Sequence, residues 1–97
     1  MRKVTKSVCE AFINGKKKSA GNTRTDGEAL FLHGNKIAER RDDGIYATLA
    51  GWPTVTTRER LNGLCELLGL GRPFHQRRHN QRFRNDPILS SDWIKLS

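Results

Sequence analysis

The sequence predicts an α+β fold in one small domain over residues 1–97: a three-stranded antiparallel meander, two flanking helices and short C-terminal strands. Three observations point there. Apolar residues recur at helical spacing in two separate stretches. Between them lie short runs with strand patterning, punctuated by two turn signals. The length of 97 residues is that of one ordinary domain, with no internal repeat and no linker.

In the first stretch Val4, Val8, Ala11 and Phe12 share one helical face, which predicts a helix over residues 4–14. Ser7 with Glu10 makes a capping box, or Thr5 caps slightly earlier, and Gly15 ends the helix. Residues 15–27 read as a polar, glycine-containing loop that is mobile until something binds it. Ala29 to His33 is a short apolar strand, Gly34-Asn35 a two-residue turn, and Lys36 to Arg40 an alternating strand. Arg41 to Gly44 is the second turn, with Asp42 and Asp43 as solvated turn formers, and Ile45 to Leu49 is the third strand. Gly51-Trp52-Pro53 leaves the sheet. Thr56 and Glu59 then form a capping box ahead of Leu61, Leu64, Cys65 and Leu68, predicting a second helix over residues 57–68 that ends at Gly69. Residues 74–84 read as one further strand broken by Asp86-Pro87, and Trp93 to Leu96 as a closing strand.

The predicted core is Val8, Phe12, Leu30, Leu32, Ile37, Ile45, Leu49, Leu61, Leu64 and Leu68. Hydrophobic residues make up 35% of the chain, enough for a thin core and little more. A cleft enclosing a substrate would consume much of it. Trp52 and Trp93 are expected to lie over that core. Cys9 and Cys65, far apart and each among apolar neighbours, read as reduced, buried thiols of a cytosolic protein. No apolar run approaches the roughly 18 residues a membrane span needs. The basic N-terminus is not followed by the apolar stretch of a secretory signal.

Charge is the strongest functional signal. The net charge is +8, and it is unevenly spread. Residues 1–25 carry seven Lys and Arg against one Glu, residues 26–70 five against seven acidic residues, and residues 71–97 six against two. The cations concentrate at Lys16, Lys17 and Lys18 and at Arg72, Arg77, Arg78, Arg82 and Arg84, the latter interleaved with Phe74, Phe83, His75, His79, Asn and Gln. Guanidinium forks match phosphate and carboxylate oxygens and stack on flat rings. This mixture suits a nucleic-acid contact surface, with Phe74 or Phe83 stacking on bases.

Catalytic signatures are sparse. His75 and His79 have ligand spacing only on a helix, or on one face of a continuous strand, and no Cys-x-x-Cys partners them. Gly44-Ile45-Tyr46 matches half of a nuclease signature whose second tripeptide, Tyr-Ile-Gly, is absent. His79-Asn80 is likewise a fragment of a nuclease motif without its remaining histidine and acidic context. No nucleophile and base can be paired by spacing. The expectation is a non-enzymatic protein with no cofactor and no metal.

Three segments carry a family resemblance: Leu30-Phe31-Leu32-His33-Gly34-Asn35-Lys36-Ile37-Ala38-Glu39-Arg40, then Leu49-Ala50-Gly51-Trp52, then Thr56-Thr57-Arg58-Glu59-Arg60-Leu61-Asn62-Gly63-Leu64. The chain resembles a family of small uncharacterised proteins encoded by bacteriophages. The resemblance covers residues 1–64 and returns at Trp93-Ile94; Arg72 to Arg84 departs from the family pattern. It implies expression in the cytoplasm of an infected bacterial cell, and it carries over no functional residue. Two partners fit the charge. One is DNA or RNA, bound without strong sequence preference. The other is an acidic host protein, held by the same arginines with Phe74 or Trp52 at the centre of the interface.

Overall fold

A computed structural model describes residues 1–97. The chain runs through α1 (Lys3–Ile13), β1 (Lys18–Ala20), β2 (Thr23–Thr25), β3 (Ala29–Leu32), β4 (Asn35–Arg41) and β5 (Gly44–Ala47). It continues through α2 (Val55–Leu67), β6 (Phe74–Arg77), β7 (Asn80–Phe83), β8 (Asp86–Pro87) and β9 (Ile94–Lys95). Nine short strands form two antiparallel sheets: a six-stranded one in the order β1-β2-β3-β4-β5-β9, and a three-stranded one in the order β6-β7-β8. The meander and both helices stand where the periodicity placed them. The strand count is larger than expected.

The added strands have physical explanations. Residues 15–27 are not a mobile loop; Lys18–Ala20 and Thr23–Thr25 pair as a hairpin around Gly21-Asn22, with Gly21 at φ 59°. Its inward residues are Thr23 and Thr25, which are buried but polar, so no aliphatic alternation announces the strand. Residues 74–84 are two strands rather than one, turning at Arg78 and His79. Asp86-Pro87 does not break that sheet; it forms β8 and pairs with β7. The turn between β3 and β4 is His33-Gly34, with φ 51° and 81°, one residue earlier than Gly34-Asn35.

Helix starts also differ from expectation. α1 follows Arg2 in extended conformation with no side-chain cap, and neither Ser7 nor Thr5 serves as one. Thr54, rather than Thr56, caps α2, its hydroxyl accepting from the Thr57 amide at 3.1 Å. Gly15 (φ 70°) and Gly69 (φ 80°) follow the helix ends in the left-handed conformation that glycine adopts freely.

Both helices cover one face of the large sheet, α1 over β1, β2 and β3, and α2 beside α1 and over β4. Val8, Cys9, Phe12, Leu30, Ile37, Leu49, Leu61, Leu64 and Cys65 fill the space between, each 0–1% exposed. Leu32 and Ile45 join them, whereas Leu68, past the end of α2, is half-buried. Gly63 marks where the helices approach most closely. A Cβ there would collide with Thr5 Cγ2 on α1. Trp52, 59% exposed, and Trp93, 38% exposed, are not core lids. Gly51-Trp52 belongs to an outward turn, and Trp93 lies on the solvent side of the sheet.

Two arginines tie the layers together. Arg40, on β4, donates from Nη2 to the carbonyl of Phe12 at 2.6 Å, and its guanidinium lies 5.2 Å from the Phe12 ring centroid. A cation thus meets the last carbonyls and negative dipole end of α1. Arg60, only 3% exposed, donates to Thr23 Oγ1 (2.8 Å), Thr5 Oγ1 (3.0 Å) and Asn22 Oδ1 (3.2 Å), and pairs with Glu59. Thr5 Oγ1 in turn donates to Glu59 Oε1 at 2.6 Å. Every nitrogen of this buried charge therefore has an acceptor, which is the condition for tolerating it inside. Glu59 is spent here and not in a capping box. Partial burial pushes its carboxyl up, but the Thr5 hydroxyl and the Arg60 guanidinium outweigh that and hold it below the usual glutamate range.

Candidate nucleic-acid interface

The β6–β7 hairpin has two chemically opposite faces. Its register pairs Phe74 with Phe83, His75 with Arg82, Gln76 with Gln81, and Arg77 with Asn80. Paired residues share a face, and faces alternate along a strand. Phe74, Gln76, Gln81 and Phe83 therefore point one way, and His75, Arg77, Asn80 and Arg82 the other. The first face docks on α2. Asn62 lies against β6 like a missing strand, accepting from the Phe74 amide and donating to the Phe74 carbonyl, both at 2.8 Å. Gln81 donates to Gln76 at 2.9 Å, and Arg58 Nη1 donates to both side-chain oxygens at 3.0 and 3.2 Å. The second face is left to solvent.

The turn itself is costly. Arg78 (φ 50°) and His79 (φ 69°) both adopt the left-handed conformation that two-residue hairpins require and that Asn-Gly meets most easily. For residues with a Cβ it costs roughly 1–2 kcal/mol each. Arg84 is also at φ 56°. Three strained positions within one short segment thus carry cationic or titratable side chains, and strain of this kind gathers at functional surfaces.

The hairpin arginines are free of ion pairs. The salt bridges engage Lys6, Lys36, Arg41, Arg60 and Lys95. None engages Arg72, Arg77, Arg78, Arg82 or Arg84. Within the hairpin, Arg82 donates to the Asn85 carbonyl, Arg84 lies 5.7 Å from the Phe83 ring centroid, and His75 Nε2 is 2.7 Å from the Arg84 carbonyl. His79 sits in the turn and not on the strand that bears His75, so no continuous strand aligns the two rings, and no cluster of three or more His, Cys, Asp or Glu side chains is placed to hold a metal ion.

The structure does not gather every predicted site residue. Lys16, Lys17 and Lys18 are exposed at the β1 edge of the large sheet, beside α1, while the hairpin rests on α2. They form two separate basic areas. Phe74 is 2% exposed, packed edge-to-face on Phe83 with ring centroids 5.1 Å apart, and is a core residue unable to stack on a base. Phe83 is half-buried beneath it.

Charge counting also missed a surface. The face of the large sheet turned away from the helices carries Arg24, Phe31, Lys36, Glu39, Arg41, Tyr46 and Lys95, as the pairs Arg24–Phe31, Phe31–Lys36, Glu39–Tyr46 and Tyr46–Lys95 require. The Arg24 guanidinium carbon lies 4.1 Å from the Phe31 centroid, and that of Arg41 lies 4.1 Å from Tyr46 and 4.9 Å from Trp93. The signal was period-two alternation of burial across Thr23-Arg24-Thr25 and Glu39-Arg40-Arg41, masked because all six residues are polar and Arg24 falls in the basic first segment while Arg41 falls in the acidic middle. A hydrogen bond from Arg41 holds the Glu39 carboxyl below its ordinary range, and one from Tyr46 does the same for Asp43. On the other side of the molecule, a groove of about 360 Å³ runs between the His33-Gly34 turn and the start of α2, with Leu32, Ile37 and Leu49 in its floor and Trp52 on its rim. Burial pushes both cysteine thiols up to about 12, so neither supplies a thiolate near neutral pH.

The family model described as "Kyanoviridae Gp96 protein" matches residues 1–96. That span takes in residues 72–84, beyond the residues 1–64 that the resemblance in the sequence covered. Searches of curated proteins and of solved structures returned no match.

Proposed function

We propose that this chain, which belongs to the Kyanoviridae Gp96 family of phage proteins, binds nucleic acid through the exposed face and turn of its β6–β7 hairpin. One observation carries the reading. The arginines Arg72, Arg77, Arg78, Arg82 and Arg84 crowd one hairpin and its flanks, and none has a carboxylate partner among the salt bridges, which engage Lys6, Lys36, Arg41, Arg60 and Lys95. They project from a scaffold held by Asn62 and Arg58, so little ordering entropy remains to be lost on binding. Phosphate contact needs no sequence recognition, and binding without strong preference follows. The protein acts by binding and not by catalysis. Lys16, Lys17 and Lys18 extend the attraction at a distance.

The test is a titration of DNA and RNA, single- and double-stranded, at several salt concentrations. Contact by the hairpin arginines gives a log–log slope of about −3.5 to −4.5, from −0.7 to −0.9 for each of five phosphates. Replacing Arg77, Arg78 and Arg82 by Gln flattens it by about 2.1 to 2.7. Absence of binding to every nucleic acid at low salt removes the proposal. A second reading, an acidic host protein as partner, is favoured by two exposed apolar side chains, Trp52 just before α2 and Val55, 74% exposed, at its start, the latter lining a groove with Arg58 and Arg72. An apolar anchor ringed by cations suits such an interface. A stoichiometric protein that stays bound to the tagged chain after nuclease treatment would support it.

A further inference from the structure

We infer that the open face of the six-stranded sheet is a second nucleic-acid surface, one that takes single strands by stacking unpaired bases on Phe31, Tyr46 and Trp93. This rests on the reading of the protein as a nucleic-acid binder and adds the strandedness of its ligand. On the strands of this face, Arg24, Lys36, Arg41 and Lys95 stand against one carboxylate, Glu39, which accepts from Arg41 at 2.6 Å and pairs with Lys36 at 3.3 Å. Asp43, at the bordering turn, is likewise engaged by Tyr46 at 2.8 Å and Lys95 at 3.7 Å. The face is therefore cationic toward an incoming strand, and its carboxylates are already occupied.

The rings set the preference. Phe31 on β3 and Tyr46 on β5 lie two strands apart, about 10 Å across the sheet. Each carries a guanidinium at 4.1 Å, and Trp93, beside Arg41, extends the second site. A guanidinium resting on a ring keeps its other plane for a base and its free N–H groups for phosphate, all of those of Arg24 and those of Arg41 not given to Glu39. Bases paired within a duplex hide their faces, whereas a single strand can splay them onto a flat, ring-bearing sheet. Of the large aliphatic side chains left exposed, Val55 begins α2 and Leu89 lies between β8 and β9, so neither sits on these strands, and the apolar core typical of a protein interface is missing here.

The test uses labelled oligo-dT of about 12 nucleotides and a duplex of equal length, each titrated at one fixed salt concentration. The full chain is compared with Tyr46→Leu/Trp93→Leu, with Tyr46→Phe/Trp93→Phe, and with the hairpin variant of Arg77, Arg78 and Arg82. The Leu pair should lower oligo-dT affinity by roughly tenfold or more per ring and leave duplex affinity within about threefold, while the Phe pair restores the loss. The hairpin variant should weaken both ligands. The inference falls if the Leu pair binds oligo-dT within about threefold of the parent, or if the Phe pair fails to restore binding. With either of those results it falls alone, provided that duplex binding persists and depends on the hairpin. If the parent binds neither ligand, both readings fall and a protein partner takes their place.

Discussion

Asn62→Ala isolates what holds the arginine hairpin to the domain. The side chain is 7% exposed and makes two bonds of 2.8 Å to one residue, accepting from the Phe74 amide and donating to its carbonyl. β7 occupies the other edge of β6, so no second strand can substitute. Truncation leaves two buried backbone groups unpaired, at about 1–3 kcal/mol each. The adjoining groove, about 320 Å³ and lined by Asn62, Phe74 and His75, admits water to them and favours the lower end of that range. The expected loss is about 2–3 kcal/mol in total, a sizeable share of the roughly 5–15 kcal/mol typical of a domain. Urea unfolding should show a lower midpoint at unchanged slope, and thermal unfolding a fall of about 10–20 °C. Asn62→Asp should fall at least as far, because a carboxylate oxygen would then face the Phe74 carbonyl. A loss under about 0.5 kcal/mol for Asn62→Ala would refute the claim that this amide anchors β6.

Three further outcomes follow from the core. Gly63→Ala should destabilise by about 1–2 kcal/mol in denaturant, the collision with Thr5 outweighing the roughly 1 kcal/mol gained in helix propensity; a stabilised variant would show that Thr5, hydrogen-bonded to Glu59 and Arg60, gives way freely. The folded carboxyl of Glu59 lies below its ordinary value of 4.5, so it contributes stability above that pH and loses it as pH falls through the lowered value; Glu59→Gln should shallow the decline in urea midpoint below about pH 4.5, and an unchanged pH profile would contradict this. Cys9 and Cys65 are free, and burial raises both thiols to about 12; a thiol reagent at neutral pH should label neither in the folded protein and both in denaturant, and rapid labelling of either under native conditions would count against the packing.

What could be read in the sequence was whatever aliphatic periodicity encodes. The stripes Val8–Phe12 and Leu61–Leu64 and the alternation through β3, β4 and β5 placed the helices and the meander. Elements whose inward residues are polar escaped. Thr23 and Thr25 are buried because their hydroxyls meet Arg60 and the Ala29 carbonyl, and no hydropathy pattern records such partners. The Arg78-His79 turn escaped because neither residue favours the conformation it adopts. For the candidate site, the unpaired arginines were visible in composition, but their division from Lys16–Lys18 was not, since sequence distance says nothing about which helix each segment rests on. Phe74 looked exposed among arginines. Alternation put it on the opposite side of the strand from His75 and Arg77, against α2.

Arg60 bears on the order in which the chain can assemble. Its bonds to Thr23 and Thr5 join residues 37 and 55 positions apart. Closing a loop of the longer span costs about 3.5 kcal/mol plus a constant before any contact repays it. While residues 1–50 are alone, α1 and the first five strands can form with the hydroxyls of Thr5 and Thr23 still hydrated. Were the guanidinium to enter before those acceptors were in place, it would be buried without partners at several kcal/mol. On that argument the second helix seats productively on a completed first half, which predicts that its knot closes after the main folding barrier. Weakening it should quicken unfolding and leave the folding rate nearly unchanged.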